Sequence, residues 1–233
     1  MAKKPSLITI RKQFDARMTA SEELFGAVRT FADGTWHSIN GWEALYPGQA
    51  RQVVALSFMH LIISWEDLVE AAFVRYLVGS SSPSGWKPTL RIGTASSLDH
   101  AYQLVSGSAS FRRGADYMTW SNWKDVIERA KLFFARGEPF SLLTQLERDR
   151  LTDAVKLRNR VAHASSKSKT DFIELAKRHL GVGAGGKLPQ GFGVGQLLID
   201  TSAKCFGNTV RNDTYFGLYH GMLNAAANKL CPK

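Results

Sequence analysis

Arg158, Asn159 and His163 stand within six residues of one another, and the run from Lys156 to Lys169 holds five lysines and arginines and no carboxylate. Each of the three suits a different task at a phosphodiester. A histidine, titrating ordinarily near about 6.5, can take and return a proton at neutral pH. An arginine offers a permanently charged planar fork that can hold two phosphate oxygens as negative charge builds on them. An asparagine stays neutral and both donates and accepts, so it can orient an imidazole or grip a phosphate oxygen. The surrounding lysines and arginines would attract a phosphodiester backbone, and Lys156, Arg160 and Lys167 are assigned to that contact.

The element that must position these groups is the stretch from Leu142 to Ser166. On a wheel of about 100° per residue, Leu151, Ala154, Val155, Val161 and Ala162 cluster on one side, which predicts an amphipathic helix. Arg158 falls near the middle of that apolar face. A guanidinium there must be desolvated unless it meets a carboxylate, a phosphate or a wet cleft. Glu66 is the first choice for the partner that positions it, with Glu70 as the other candidate. Asn159 and His163, four apart, share the flank of the helix.

An arginine followed by a polar residue and closed by a histidine, here Arg158-Asn159-xxx-His163, resembles the motif of the HEPN superfamily (higher eukaryotes and prokaryotes nucleotide-binding domains). The upstream run SFMHLIISWEDLVEAAFVRYL from Ser57 to Leu77, with acidic residues after its tryptophan, is similar to the early core helix of that superfamily. The resemblance extends in discontinuous pieces from about Gln49 to His179. It implies an all-α, HEPN-like helical bundle with loop insertions. It also implies a metal-independent RNA endonuclease that uses 2′-hydroxyl attack, leaves cyclic phosphate ends, and needs no cofactor. Arg158, His163 and Asn159 would then be catalytic, with Glu66 in support. In the family, motif helices of two subunits commonly face each other, so a homodimer with RNA in a shared interface is the implied assembly. A toxin or antiphage defence role, and with it an inhibitory antitoxin partner, is the further implication.

Geometry conditions that expectation. On an ideal helix Arg158 and His163 point about 140° apart. They converge if the arginine folds round, if the helix bends near His163, or if a second subunit completes the pair. Two other readings stay open: a HEPN-type nucleotide- or RNA-binding module without turnover, and a helical interaction protein. In the latter Arg158 only closes an ion pair with Glu66 or Glu70, Asn159 packs, and His163 caps a helix end.

The formal charge is +10 and the pI about 9.8, which favours polyanionic partners, although a solvated basic surface gives the same sum. An apolar content of 44% with six tryptophans argues against disorder, and 233 residues suffice for one domain. That single domain is expected to have its core over about 49–180, followed by a glycine-rich loop and a C-terminal helix over 181–233. The basic start has no apolar run of a secretory signal, and the stretch Val53 to Ile63 is broken by His60 and then Glu66-Asp67. No membrane partner is therefore expected. Two cysteines, Cys205 and Cys231, make no disulfide framework and suit a reducing cytoplasm.

Periodicity predicts further helices over Leu7 to Phe31, Gln49 to Leu77, Ser96 to Ser106, Trp120 to Ala135, Lys167 to Leu180 and Thr214 to Leu230. Loops are expected over 36–48, 79–91, 107–114 and 181–195, and one strand over Leu197 to Asp200. The run Gly181 to Lys187 begins like a phosphate-binding P-loop but is followed by Leu188 where magnesium coordination needs Ser or Thr, so it is read as a loop. His37, His60, His100, His179 and His220 lack the spacing of a zinc site. Trp86 and Phe111 lie in basic loops, where an aromatic ring can stack on a base.

Overall fold

The computed structural model describes residues 6–32, 45–183, 185–201 and 213–233. The fold is all-α. Its helices are α1 (Leu7–Ala32), α2 (Pro47–Leu77), α3 (Leu98–Ser106), α4 (Trp123–Phe133), α5 (Gln145–Ala162), α6 (Ser166–Leu180), α7 (Val194–Ile199) and α8 (Tyr215–Leu230), with two 3-10 turns between α4 and α5. Among the described residues there is no strand, only isolated bridges such as Leu90 with Phe134. The expected strand over Leu197 to Asp200 is instead the helical turn α7. Leu197 and Leu198 are both buried, and so is Val194. Neighbouring side chains point to opposite faces of a strand, whereas residues one, three and four apart can share the buried side of a helix. Residues 33–44, which include most of the loop expected over 36–48, and Cys205 lie outside the described residues; the last two positions of that loop open α2.

The α2 stripe forms as its spacing predicts: Val54, Phe58, Leu61, Trp65, Leu68, Ala72 and Tyr76 are all buried. By length and composition alone α2 would also suffice to cross a membrane, because its most apolar 18-residue window has a mean hydropathy of 1.3. More than half of that window (56%) is buried within the protein, which is the pattern of a core helix.

The chain divides into two compact units. The first comprises Met1–Ala16, Ser64–Thr152 and Leu223–Lys233. At its centre Phe73 meets the rings of Trp120, Phe134 and Phe140 at 4.8 to 5.2 Å. Large aromatic surfaces removed from water dominate the stability of such a core. The buried Arg11 donates to the Cys231 carbonyl and the Asn228 side chain, both at 2.8 Å, and so places a cation at the end of α8 where the helix dipole favours one. α5 starts in a capping box: Thr144 N–H donates to Glu147 Oε2 at 2.7 Å and Glu147 N–H to Thr144 Oγ1 at 3.3 Å. The Glu147 carboxylate also accepts from Lys229 Nζ at 2.7 Å.

The second unit comprises Arg17–Ile63 and Asp153–Met222. Here Phe216 stacks on Phe25 at 4.2 Å, and Phe58 meets Tyr219 edge-on at 5.3 Å. α7 lies directly against the backbone of α2: a Cβ built on Gly195 would sit 1.8 Å from the Arg51 carbonyl oxygen. Only glycine permits that approach.

Candidate functional site

The motif residues Lys156, Arg158, Asn159, Arg160, His163 and Lys167 all belong to the second unit. Glu66, the expected support for Arg158, is half-buried on the α2 portion that belongs to the first. Glu70, the other candidate, accepts a hydrogen bond from the Tyr102 hydroxyl at 2.6 Å.

The buried side of α5 differs from the wheel. Leu151, Asp153, Ala154 and Leu157 are buried, Val155 and Val161 are half-buried, and Ala162 is exposed. The apolar face is thus rotated toward Asp153 and Leu157, which leaves Arg158 half-buried at its margin instead of at its centre. Its Nε is buried there. Arg158 Nη1 donates to Asn159 Oδ1 at 3.0 Å, so the asparagine engages the arginine and not the imidazole.

α5 stops at Ala162, four residues short of the expected Ser166. His163 N–H still donates to the Asn159 carbonyl at 2.9 Å, closing the last helical turn. The His163 carbonyl is taken by Ser168 Oγ at 2.8 Å, and Ser165 caps α6 by accepting from Ser168 N–H at 3.2 Å. Two serines therefore fix a three-residue turn, with His163 as its first member. The imidazole is exposed and hydrogen-bonds to no described residue. His163 thus stands at the C-terminal boundary of α5, with its N–H still in the helical hydrogen-bond pattern.

The cations around it are not equivalent. Lys156 and Arg160 are half-buried on α5. Lys167 is exposed and lies 3.4 Å from Asp171, so its charge is shared with a carboxylate just beyond the basic run. Among the described residues no group of three or more His, Cys, Asp or Glu side chains is placed to hold a metal ion.

One constellation escaped sequence reasoning. The buried Asp153 carboxylate on α5 pairs with Arg178 of α6, and its other oxygen lies 4.0 Å from His179 Nε2. His179, fully buried, shares a 3.1 Å hydrogen bond with the Tyr219 hydroxyl, while its carbonyl accepts from the Tyr215 hydroxyl at 2.6 Å. The network ties α5 to α6 and α8 on either side of the His163 turn. The available signal was Asp153 on the inner face of the motif helix, together with two tyrosines four apart on α8.

Fold and site together define an all-α protein whose exposed imidazole follows an arginine–asparagine pair at a helix end. Comparison with protein-family models, curated proteins and solved structures finds nothing that matches this chain.

Proposed function

We propose that this chain is a HEPN-like, metal-independent RNA endonuclease that works in the cytoplasm as a homodimer. The observation that carries the reading is His163, exposed and without a side-chain partner, one turn after the hydrogen-bonded Arg158–Asn159 pair. A histidine held by its backbone and free at its ring is available for proton transfer.

The reaction needs a base and an acid, and one protomer brings one such histidine. In the dimer, His163 of one protomer takes the proton of the ribose 2′-hydroxyl, and the 2′-oxygen bonds to the adjacent phosphorus. As the bond from phosphorus to the 5′-oxygen breaks, His163 of the partner subunit protonates that oxygen. The products are a 2′,3′-cyclic phosphate and a free 5′-hydroxyl. Arg158 holds the non-bridging oxygens, where charge accumulates, and its hydrogen bond to Asn159 restricts the directions its fork can take. Lys156, Arg160 and Lys167 are assigned to the strand's other phosphates. RNA cleavage that halts growth fits a toxin or antiphage defence effector, with an inhibitory antitoxin as partner.

The test is incubation of the purified protein in EDTA with RNA and with DNA of the same sequence. DNA lacks the attacking hydroxyl, so cleavage confined to RNA is expected. RNA recovered intact from a stable complex would replace this proposal with a binding module that has no turnover.

A further inference from the structure

The loop after α3, in the first unit, carries a second constellation suited to nucleic acid. Tyr102 stacks on Phe111, with ring centroids 5.7 Å apart and planes within 3°. The Arg113 guanidinium lies over the Tyr102 ring, 5.7 Å from its centroid, and the Tyr102 hydroxyl is anchored on Glu70 at 2.6 Å. These groups line a cavity of about 300 Å³ together with Tyr117. A neighbouring cavity of about 490 Å³ shares Phe111, Asp116, Tyr117 and Met118 and adds Arg129. Both volumes fall within the range of small-ligand sites, roughly 300 to 1,000 Å³.

Packing accounts for the Tyr102–Phe111 pair, which holds the loop against α3. It does not account for Tyr117, an aromatic residue 81% exposed on the wall of both cavities. Nor is the charge balanced. Arg113 lines the smaller cavity and Arg129 the larger, and Arg75, outside both linings, is near enough to Arg113 for that charge, after burial, to lower its pKa. Against them stand Glu70 and Asp116, the latter paired at 3.8 Å with a further cation, Arg112, from whose backbone N–H it also accepts at 2.6 Å. A ligand that adds a flat π-system and an anion would meet both needs at once.

We infer that the cleft between Phe111, Tyr117, Arg113 and Arg129 binds an unpaired nucleobase together with its phosphate. The base slides against the exposed Tyr117 ring and the edge of the Phe111 stack, and the phosphate is met by Arg113 and Arg129. Ser106, Ser108 and Thr119 on the larger cavity's wall supply hydroxyls for the base edge or the sugar. Stacking tolerates any base, so the site reads single-strandedness more than sequence. The inference stands whether or not the α5 site cleaves RNA.

The same chemistry is offered by a free nucleotide and by a strand, so two probes are used on the full chain. These are adenosine monophosphate and a fluorescein-labelled deoxyadenylate decamer, which has no 2′-hydroxyl to be cleaved at. Tyr117→Ala and Phe111→Ala should each weaken binding of at least one probe about 5- to 150-fold, the range found for loss of one stacked base. Arg113→Gln should weaken it as well and reduce the slope of affinity against salt by about one. Loss with both probes assigns the cleft to nucleotides in general, and loss with the decamer alone assigns it to strands. Arg136→Gln, an 83% exposed control cation of the same unit, should stay within about twofold of wild type. Tyr117 is too exposed for its loss to unfold the chain. Tyr117→Ala and Arg113→Gln both binding like wild type would overturn the inference. So would an Arg136→Gln effect as large as that of Arg113→Gln, or failure of the wild-type protein to bind either probe.

Discussion

Asp153→Ala tests how the motif helix is held. The substitution removes the carboxylate that pairs with Arg178 and faces His179, five residues before Arg158 on the same helix. Removing one member of a buried ion pair typically costs about 3–5 kcal/mol, because the other charge is left buried. Here the Arg178 side chain is 56% exposed and can turn to water, which lowers the penalty. His179 is fully buried and cannot follow. A loss of about 2–3 kcal/mol is expected, the scale of one or two charge-assisted hydrogen bonds. In a chain of 233 residues that lowers Tm by about 4–12 °C. Asp153→Asn keeps an acceptor and the volume, so it should cost about half as much. Equilibrium urea unfolding of the three proteins measures both. A change below about 0.5 kcal/mol in Asp153→Ala would refute the claim that this network fixes α5 against α6.

Four further outcomes follow from particular positions. Gly195→Ala places a methyl 1.8 Å from a backbone oxygen that no rotamer change can move, so it should destabilise by more than about 3 kcal/mol. Gly26→Ala, in α1 with nothing within 4 Å of the new methyl, should stabilise by about 0.5–1 kcal/mol; chemical denaturation compares the two. At Glu147 burial raises the pKa, but the Lys229 ammonium and the Thr144 donors outweigh it and the net direction is down. Its contribution is therefore fully present above the unfolded glutamate value of about 4.3 and is lost as pH falls through the depressed folded value. Lys229→Met should flatten that acid limb in stability measured against pH. Burial pushes the Cys231 thiol up to about 11. In a Cys205→Ser background, maleimide labelling at pH 8 should be slow in the native protein and fast in denaturant. Stability from this thiol is intact below the unfolded value of about 8.5 and declines as pH rises toward about 11.

Long apolar periodicities were legible in the sequence. The seven residues of the α2 stripe are all buried, and of the α8 face expected from Tyr215, Leu218, Tyr219, Met222, Leu223 and Ala226, all are buried but Leu218 and Met222, which are half-buried. Short or mixed elements were not. α7 has six residues, too few for a period to declare itself, and its place depends on a glycine that meets Arg51 from a distant part of the chain. In α1, Leu24 sits at a periodic position yet is 45% exposed. In α5 the wheel weighed only apolar residues and left out Asp153, which is buried and paired with Arg178, so the buried face was drawn too close to Arg158. For the same reason His179 was read as one more histidine and Leu180 as core. Their places are exchanged, since His179 reaches Tyr219 and is fully buried while Leu180 is half-buried. Polar residues buried by partners 25 to 40 positions away leave no local pattern. The motif itself, being local, was visible; the serine-tied turn that presents His163 was not.

The nucleolytic reading rests on His163 as a proton carrier beside Arg158, and the ends of the cut strand report on it directly. Mass spectrometry of a defined RNA, digested in EDTA by wild type and by His163→Ala, is the decisive measurement. The account predicts 2′,3′-cyclic phosphate and 5′-hydroxyl ends from wild type, and intact RNA from a His163→Ala protein of unchanged helicity. Ends carrying a 5′-phosphate, or undiminished cleavage by His163→Ala, would contradict it.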